Sequence, residues 1–165
     1  MVAEILRCWP ELFVSVSVTT RPRRADERSG EHYHYVDRAT FARMIESGEL
    51  LEYAEYAGNF YGTPAAPVHQ ALAAGRSTLL EIEVQGARQV RALMPDALLV
   101  FLKPPSWEEL EHRLRGRATE PDEGIERRLA TARIELAAED EFDQTVVNTS
   151  VADAAEALAS LMKAP

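Results

Sequence analysis

The order in which strand-like and helix-like segments follow one another is the strongest constraint on the fold of this chain. Residues 78–84, TLLEIEV, form a nearly continuous apolar run that predicts a buried strand. A helix over 85–94, a strand over 97–102 and a helix opened by Ser106, with Glu109 three residues later, are predicted to follow. This alternation is typical of an α/β protein with a mainly parallel sheet.

Capping residues and apolar stripes predict the remaining elements. Residues 2–7 have the pattern of the end of an amphipathic helix, on which Cys8 is predicted to be buried. Asp37 is predicted to cap a helix that Gly48 ends, and residues 50–61 are predicted to form a hairpin with its turn at Gly58-Asn59. The other predicted elements are a helix over 67–74, a helix from Asp122, a strand over 145–147 and a last helix opened by Ser150 with Asp153.

A basic segment follows the first predicted strand. Residues 13–18, FVSVSV, alternate between apolar and polar side chains as a strand does, and the pattern breaks at Pro22 into a segment dense in charge. Guanidinium groups match the paired oxygens of a phosphate, and tyrosine hydroxyls nearby could donate to the same group. The segment therefore predicts either a phosphate-binding loop or an ordinary solvated turn. Its arginines are Arg21, Arg23 and Arg24, and the tyrosines that follow are Tyr33 and Tyr35.

Composition narrows the class of ligand. The chain has 165 residues, with 18 Lys and Arg against 27 Asp and Glu, so a broad surface for nucleic acid or an anionic membrane is not expected. A local basic cluster in an acidic protein fits a small anion better. The apolar runs are too short for a membrane span, and the first residues lack the apolar core of a signal peptide, which predicts a cytoplasmic protein. The single cysteine excludes an intrachain disulfide.

Two carboxylates interrupt the apolar strand predicted over 78–84. Glu81 and Glu83 lie toward its C-terminal end, which is where open α/β sheets bind ligands. They are predicted either to face a substrate or cation, or to face solvent on an edge strand.

Six segments, in order, resemble the guanylate kinase family over essentially the whole chain. They are VSVTTRPRR, GEHYHYV, GELLEYAEYAGNFYGT, LEIEVQGARQV, FLKPPSWEELEHRLRGRATE and RRLATARIELAAEDEFDQTVVN. The resemblance implies a single domain over 1–165 with the parallel-sheet core of a P-loop kinase. It also implies a small mixed-β subdomain that binds GMP, over about 20–78, and an arginine-bearing lid over about 113–124.

The resemblance implies a pocket for GMP. Arg21, Arg24, Tyr33 and Tyr61 match the residues that hold the GMP phosphate, and Glu27 matches a carboxylate that supports them. Glu52 matches the residue that reads guanine, and a carboxylate suits the adjacent N1–H and N2–H₂ donors of that base. Arg23 is then an additional, solvated charge. The residues expected around the base are Ser17, Thr63 and Glu83, the last standing where the family usually has Asp.

The implied reaction is transfer of the γ-phosphoryl group from MgATP to GMP, giving GDP and ADP in purine nucleotide metabolism. Arg113 and Arg117 of the lid and Arg128 would neutralise charge on the group in transfer. Asn148 matches a residue near the adenine of ATP, and Glu81 one near the Mg²⁺ and phosphates. The expected ligands are therefore GMP, ATP and Mg²⁺.

One motif of the family is missing from these 165 residues. There is no G-x-x-x-x-G-K-[ST], and the strand before it, which is central in the family's sheet, is also not found. Two explanations stand at this point, a start at an internal methionine of a longer guanylate kinase and a naturally loop-less variant. Either predicts impaired turnover, and the unpaired sheet edges would allow self-association. The alternative function is a non-catalytic module that binds GMP or a phosphorylated or acidic protein partner.

Overall fold

The alternation of strand and helix predicted from the sequence is present in the structure. A computed structural model describes residues 1–116 and 122–163 of the chain. The strands are β1 Phe13–Val14, β2 Val18–Thr19, β3 His34–Tyr35, β4 Leu50–Tyr56, β5 Asn59–Pro64, β6 Thr78–Leu79, β7 Val100–Lys103 and β8 Gln144–Val147. The helices are α1 Val2–Cys8, α2 Arg38–Glu46, α3 Ala65–Ala73, α4 Val84–Leu93, α5 Trp107–Gly116, α6 Asp122–Leu136 and α7 Val151–Lys163, and a 3₁₀ turn spans Glu139–Glu141.

Helix starts follow the predicted capping residues. The carboxylate of Asp37 accepts the backbone N–H of Thr40 at 2.6 Å and opens α2. The hydroxyl of Ser106 accepts the N–H of Glu109 at 3.2 Å at the start of α5. Ser150 opens α7 in the same way, accepting the N–H of Asp153 at 3.1 Å. These bonds satisfy amides that a helix leaves unpaired in its first turn, so the three predictions are confirmed.

The chain divides into two compact units, one of which is Glu11–Ala97. This unit contains a four-stranded mixed sheet in the order β3-β2-β5-β4, in which β2 and β3 are parallel and the other neighbours are antiparallel. A separate parallel pair joins β1 to β6. Helices α2, α3 and α4 belong to this unit, and its core includes Val18, Phe41, Leu51, Val68 and Val90.

The other unit consists of Met1–Pro10 with Leu98–Pro165. Its strands β7 and β8 form a parallel pair, and α1 packs against α7. The buried residues of this unit include Ile5, Phe101, Leu129, Val146 and Ala155. None of the helices in the described ranges combines the length and apolar content that crossing a bilayer requires.

The α/β class, the parallel strand pairs and the mixed sheet agree with the predicted P-loop kinase fold. The pairs β1–β6 and β7–β8 are each two-stranded, so each of these strands has one edge without a strand partner among the described residues. Self-association through such edges stays a prediction.

Two predicted strands are wrong in extent. Residues 13–18 do not form one strand, because Val14 pairs with Leu79 whereas Val18 pairs with Gly62 in the mixed sheet. The chain changes sheets between these residues. The strand predicted over 78–84 ends at Leu79, because Glu83 is the N-cap of α4 and Val84 already belongs to that helix.

Three smaller predictions also need correction. The hairpin turn consists of Ala57 and Gly58, with φ of 49° and 78°, and so lies one residue earlier than predicted. The strand predicted over 97–102 is β7, which begins at Val100. Cys8 is exposed, because α1 ends at this residue and buries Ile5 instead.

Candidate active site

A buried carboxylate organises the basic segment. Both oxygens of Glu27 accept hydrogen bonds from the guanidinium of Arg21, at 2.7 and 3.1 Å. One oxygen also accepts the backbone N–H of Arg24 at 2.8 Å and the hydroxyl of Tyr35 at 2.7 Å. A two-pronged pair of this kind fixes the plane of the guanidinium as well as its position. The predicted role of Glu27, support of the arginines, has this geometric basis.

The ion pair is largely withdrawn from solvent. The side chains of Arg21 and Glu27 are 15% and 9% exposed. The hydrogen bonds from Arg21 lower the pKa of Glu27 to about 2, because they favour the charged carboxylate, and Arg24 and Tyr35 act in the same direction. The same bonds raise the pKa of Arg21 above its ordinary value.

Three tyrosine rings surround the paired arginine. The ring of Tyr33 meets the rings of Tyr35 and Tyr61 edge to face, with centroids 6.0 and 5.9 Å apart. The guanidinium carbon of Arg21 lies 5.4 Å from the centroid of the Tyr33 ring. Burial raises the pKa of Tyr33, and the nearby charge of Glu81 adds to this effect. The structure therefore brings the predicted phosphate residues Arg21, Tyr33 and Tyr61 together.

The remaining donors of the segment differ in what they already bind. Among the described residues, none accepts a hydrogen bond from the exposed guanidinium of Arg24 or from the hydroxyl of Tyr33. Arg23 is exposed, as predicted. Its guanidinium donates to the backbone carbonyls of Arg24 and Glu27 and so joins two parts of the basic segment. Arg24 and Tyr33 thus keep donors that a phosphate could take.

A second buried carboxylate lies in the same unit. Glu52 is 4% exposed and its Oε1 accepts the hydroxyl of Thr63 at 2.6 Å. Burial raises the pKa of Glu52; the Thr63 bonds oppose this shift, and the negative charge of Glu83 adds to it. The predicted pair Glu52 and Thr63 is therefore in direct contact, and Glu83 is close enough to act on Glu52 electrostatically.

The two carboxylates after β6 fit neither predicted alternative completely. Glu81 is exposed and Glu83 is half-buried, and both lie beyond the short strand rather than on it. The charge of Glu81 nevertheless contributes to the raised pKa of Tyr33, and the charge of Glu83 contributes to the raised pKa of Glu52. Ser17 is half-buried just before β2, and its backbone carbonyl accepts the N–H of His34 at 2.8 Å.

The predicted lid residues lie in the other unit. The Nε of Arg113 donates to Glu109 at 2.7 Å, and a terminal nitrogen donates to the backbone carbonyl of Asn148 at 3.2 Å. The side-chain oxygen of Asn148 is buried and has no hydrogen-bond partner among the described residues. Arg128 is half-buried on α6. Arg117 lies outside the described residues, as does much of the predicted lid.

Metal binding by the protein alone has little support in this part of the chain. No group of three His, Cys, Asp or Glu side chains within residues 1–116 and 122–163 comes together as a metal site. Mg²⁺ takes most of its ligands from phosphate oxygens and water, and needs few from protein.

Nothing in the sequence distinguishes Tyr35 from Tyr33 as the partner of Glu27, which the structure shows to be Tyr35. The alternation of Tyr33, His34 and Tyr35 indicated only that the two rings share a face. Thr19 was also missed; it is fully buried, donates to the carbonyl of Phe60 at 2.9 Å and accepts the N–H of Arg21 at 3.1 Å. A threonine two residues before a loop arginine, at the end of a strand, was the available signal.

Comparisons with known proteins agree with the fold and the resemblance. A family model described as guanylate kinase matches residues 1–165. The chain is 61% identical to a guanylate kinase from Thermobifida fusca, over 100% of this chain and 84% of that protein. It is 58% identical to one from Streptomyces coelicolor, over 98% of this chain and 82% of that protein. The crystal structure of guanylate kinase from Anaplasma phagocytophilum is 34% identical, with a TM-score of 0.81 over 98% of this chain and 80% of that one. On these grounds the chain belongs to the guanylate kinase family.

Proposed function

We propose that the chain binds GMP in the Glu11–Ala97 unit and that GMP accepts the γ-phosphoryl group of MgATP, giving GDP and ADP. The observation that carries this proposal is that one unit holds both a preassembled arginine and tyrosine cluster and a separate buried carboxylate. A nucleoside monophosphate has one anionic end and one end with hydrogen-bond donors, which is the pair of chemical groups that this unit can bind.

The phosphate of GMP would be held by Arg21, Arg24, Tyr33 and Tyr61. Arg21 is already oriented by Glu27, so binding costs little side-chain entropy. The exposed guanidinium of Arg24 supplies a second positive charge.

The guanine base would be read by Glu52, with Ser17, Thr63 and Glu83 around it. A carboxylate accepts from N1–H and N2–H₂ of guanine, whereas adenine has no donor at N1. Burial excludes competing water, so each of these bonds contributes more to selectivity than it would at the surface.

In the transfer, an oxygen of the GMP phosphate attacks the γ-phosphorus of ATP, and the bond from that phosphorus to the oxygen of ADP breaks. The attacking oxygen is already anionic, so no general base is required. Arg113, Arg117 and Arg128 would neutralise the charge that spreads over the moving group. The Mg²⁺ would enter with ATP, with Glu81 near the metal and phosphates, and the buried oxygen of Asn148 would accept from the adenine amino group.

The 165 residues contain no G-x-x-x-x-G-K-[ST], the sequence that cradles ATP phosphates in P-loop enzymes. We therefore expect this chain to bind GMP but to turn it over slowly, and we assign it to purine nucleotide metabolism in the cytoplasm. A coupled assay that gave rapid turnover by these 165 residues would contradict that expectation.

Calorimetric titration with GMP tests the pocket. Glu52→Gln is expected to weaken GMP binding about 100-fold, because a buried charge-assisted bond is lost. The control is Glu55→Gln, an exposed glutamate on the same strand, which should bind GMP normally. Unchanged binding in Glu52→Gln would contradict guanine recognition. Tight binding of a phosphorylated peptide in place of GMP would instead support the non-catalytic module.

A further inference from the structure

A side chain of α4 hydrogen-bonds the outer edge of strand β4. This strand is last in the sheet order, so its outward backbone groups have no strand beside them among the described residues. The Oε1 of Gln89 accepts the N–H of Tyr53 at 3.2 Å, and its Nε2 donates to the carbonyl of Tyr53 at 2.6 Å. Gln89 thereby joins α4 to the backbone next to Glu52.

One turn earlier, α4 leaves no space for a side chain. Gly86 is buried, and a Cβ at this position would lie 2.8 Å from Cδ of Glu52 and would overlap its Oε2. Gly86 and Gln89 are three residues apart and so lie on the same face of the helix. The backbone of α4 is therefore the wall against which the Glu52 carboxylate rests.

An irregularity in the pairing of β4 turns the side chain of Glu52 toward the backbone of α4. Leu50 pairs with Pro64 and Glu52 pairs with Thr63, so Leu51 is an extra residue in the strand. Such a bulge re-aims the side chains beside it, and Leu51 and Glu52 are both buried although they are neighbours in a strand. Together, the bulge, the Thr63 hydroxyl and the Gly86 backbone determine where the carboxylate lies.

We propose that Gly86 and Gln89 are positioning residues that set the selectivity of the pocket for guanine by fixing the depth of the Glu52 carboxylate. The proposal rests on the proposed function of Glu52. Guanine differs from hypoxanthine only by the 2-amino group, so preference for GMP over IMP requires a carboxylate in reach of N1–H and N2–H₂ together. A carboxylate displaced by a fraction of an ångström keeps one of these bonds and weakens the other.

The test is the ratio of the dissociation constants for IMP and GMP, measured by calorimetry on the full chain. Gln89→Ala and Gly86→Ala are each expected to lower this ratio about 10-fold. Gln85→Ala, which removes an exposed side chain from the same helix, is the matched control and should leave the ratio unchanged. If Gly86→Ala does not fold, Gln89→Glu replaces it, since a glutamate keeps the acceptor for Tyr53 but cannot donate to its carbonyl.

A double substitution separates positioning from a loss of folded protein. In a Glu52→Gln background, Gln89→Ala should no longer change the ratio, because the carboxylate that it positions is gone. A merely structural role would weaken GMP and IMP equally and leave the ratio intact. If Glu52→Gln keeps the wild-type preference for GMP, the proposed function is wrong. If Glu52→Gln loses it while Gln89→Ala and the Gly86 variant keep it, only the positioning role is wrong.

Discussion

The two units of the chain hold their predicted phosphate-binding arginines in different ways. In Glu11–Ala97, Arg21 makes a two-pronged pair with Glu27, and both side chains are largely buried. In the unit that includes Leu98–Pro165, Arg113 pairs with Glu109 one helical turn away, and these side chains are 37% and 40% exposed. Ion pairs as exposed as the second contribute little to stability and exchange readily for another partner.

This difference indicates a division of roles under the proposed function. A receptor for GMP gains affinity if its charges are oriented before the ligand arrives. An arginine that acts on a group in transfer has to move with that group, and a weak surface pair permits this movement. The first unit should therefore control GMP affinity, whereas the second should control the rate of transfer.

The largest effect is expected from Arg24→Ala, which should weaken GMP binding about 100-fold because a charge-assisted contact to the phosphate is lost. Binding of guanosine, which has no phosphate, should not change. Arg28→Ala, an exposed arginine of the same loop, is the control. Arg113→Ala should leave GMP affinity within about twofold of the wild type. If Arg113→Ala weakened GMP binding as much as Arg24→Ala, the proposal that only the first unit controls GMP affinity would be contradicted.

The next effect concerns stability and its dependence on pH. Glu27→Gln should lower the free energy of unfolding at pH 7 by about 2 kcal/mol, because Arg21 keeps a poorer partner in a mostly buried place. The folded-state pKa of Glu27 is about 2 and its ordinary value is 4.5. The stabilisation by Glu27 is therefore complete above pH 4.5 and is lost as the pH falls from 4.5 toward 2.

Urea unfolding at a series of pH values measures this effect. The variant should lose less stability than the wild type across the acid range, since its Gln does not titrate. If the free energies of unfolding of the two proteins fell in parallel as the pH is lowered, the pH dependence could not be attributed to Glu27. Glu139→Gln, which removes a half-exposed pair with Lys103 in the other unit, is the comparison and should change stability less.

The smallest expected effect is a gain in the free energy of unfolding, whereas Glu27→Gln lowers it. Burial raises the pKa of Glu52, so folding disfavours the charged form of this carboxyl relative to the unfolded chain. Glu52→Gln keeps an acceptor for the Thr63 hydroxyl and removes the buried charge, so it should raise the free energy of unfolding by about 1 kcal/mol. Thermal melting at pH 7 without ligand is the measurement. A lower melting temperature would show that the charge is stabilised by neighbours and would weaken the contrast with Glu27.

Elements that depend on local signals were predictable from the sequence. Asp37, Ser106 and Ser150 each bond to an amide three residues or fewer into the helix, and such bonds need no knowledge of the rest of the fold. The break within residues 13–18 was not predictable, because it depends on β1 and β2 finding partners in two different sheets. Alternation of side chains reports a strand but not its partner.

The features of the candidate site also fall into those that could be predicted from the sequence and those that could not. The residue types at Arg21, Arg24, Glu52 and Tyr61 carried the family resemblance and so could be named from the sequence. The bulge at Leu51 and the contact of Gly86 with Glu52 could not, because both are properties of how one segment meets another. The bond from Tyr35 to Glu27 joins residues eight apart through a loop, and no periodic pattern marks it.

The two hydrogen bonds between the Gln89 side chain and the backbone of Tyr53 also have a consequence for solubility. An edge strand with free N–H and C=O groups is a template on which another chain can add a strand and start an aggregate. At Tyr53, both groups are occupied by one amide side chain of the same chain. Gln89 thus occupies two adjacent backbone groups at the middle of β4 with which an incoming strand would otherwise pair. Replacing Gln89 should therefore increase aggregation of the protein, and the increase should be greater at higher protein concentration.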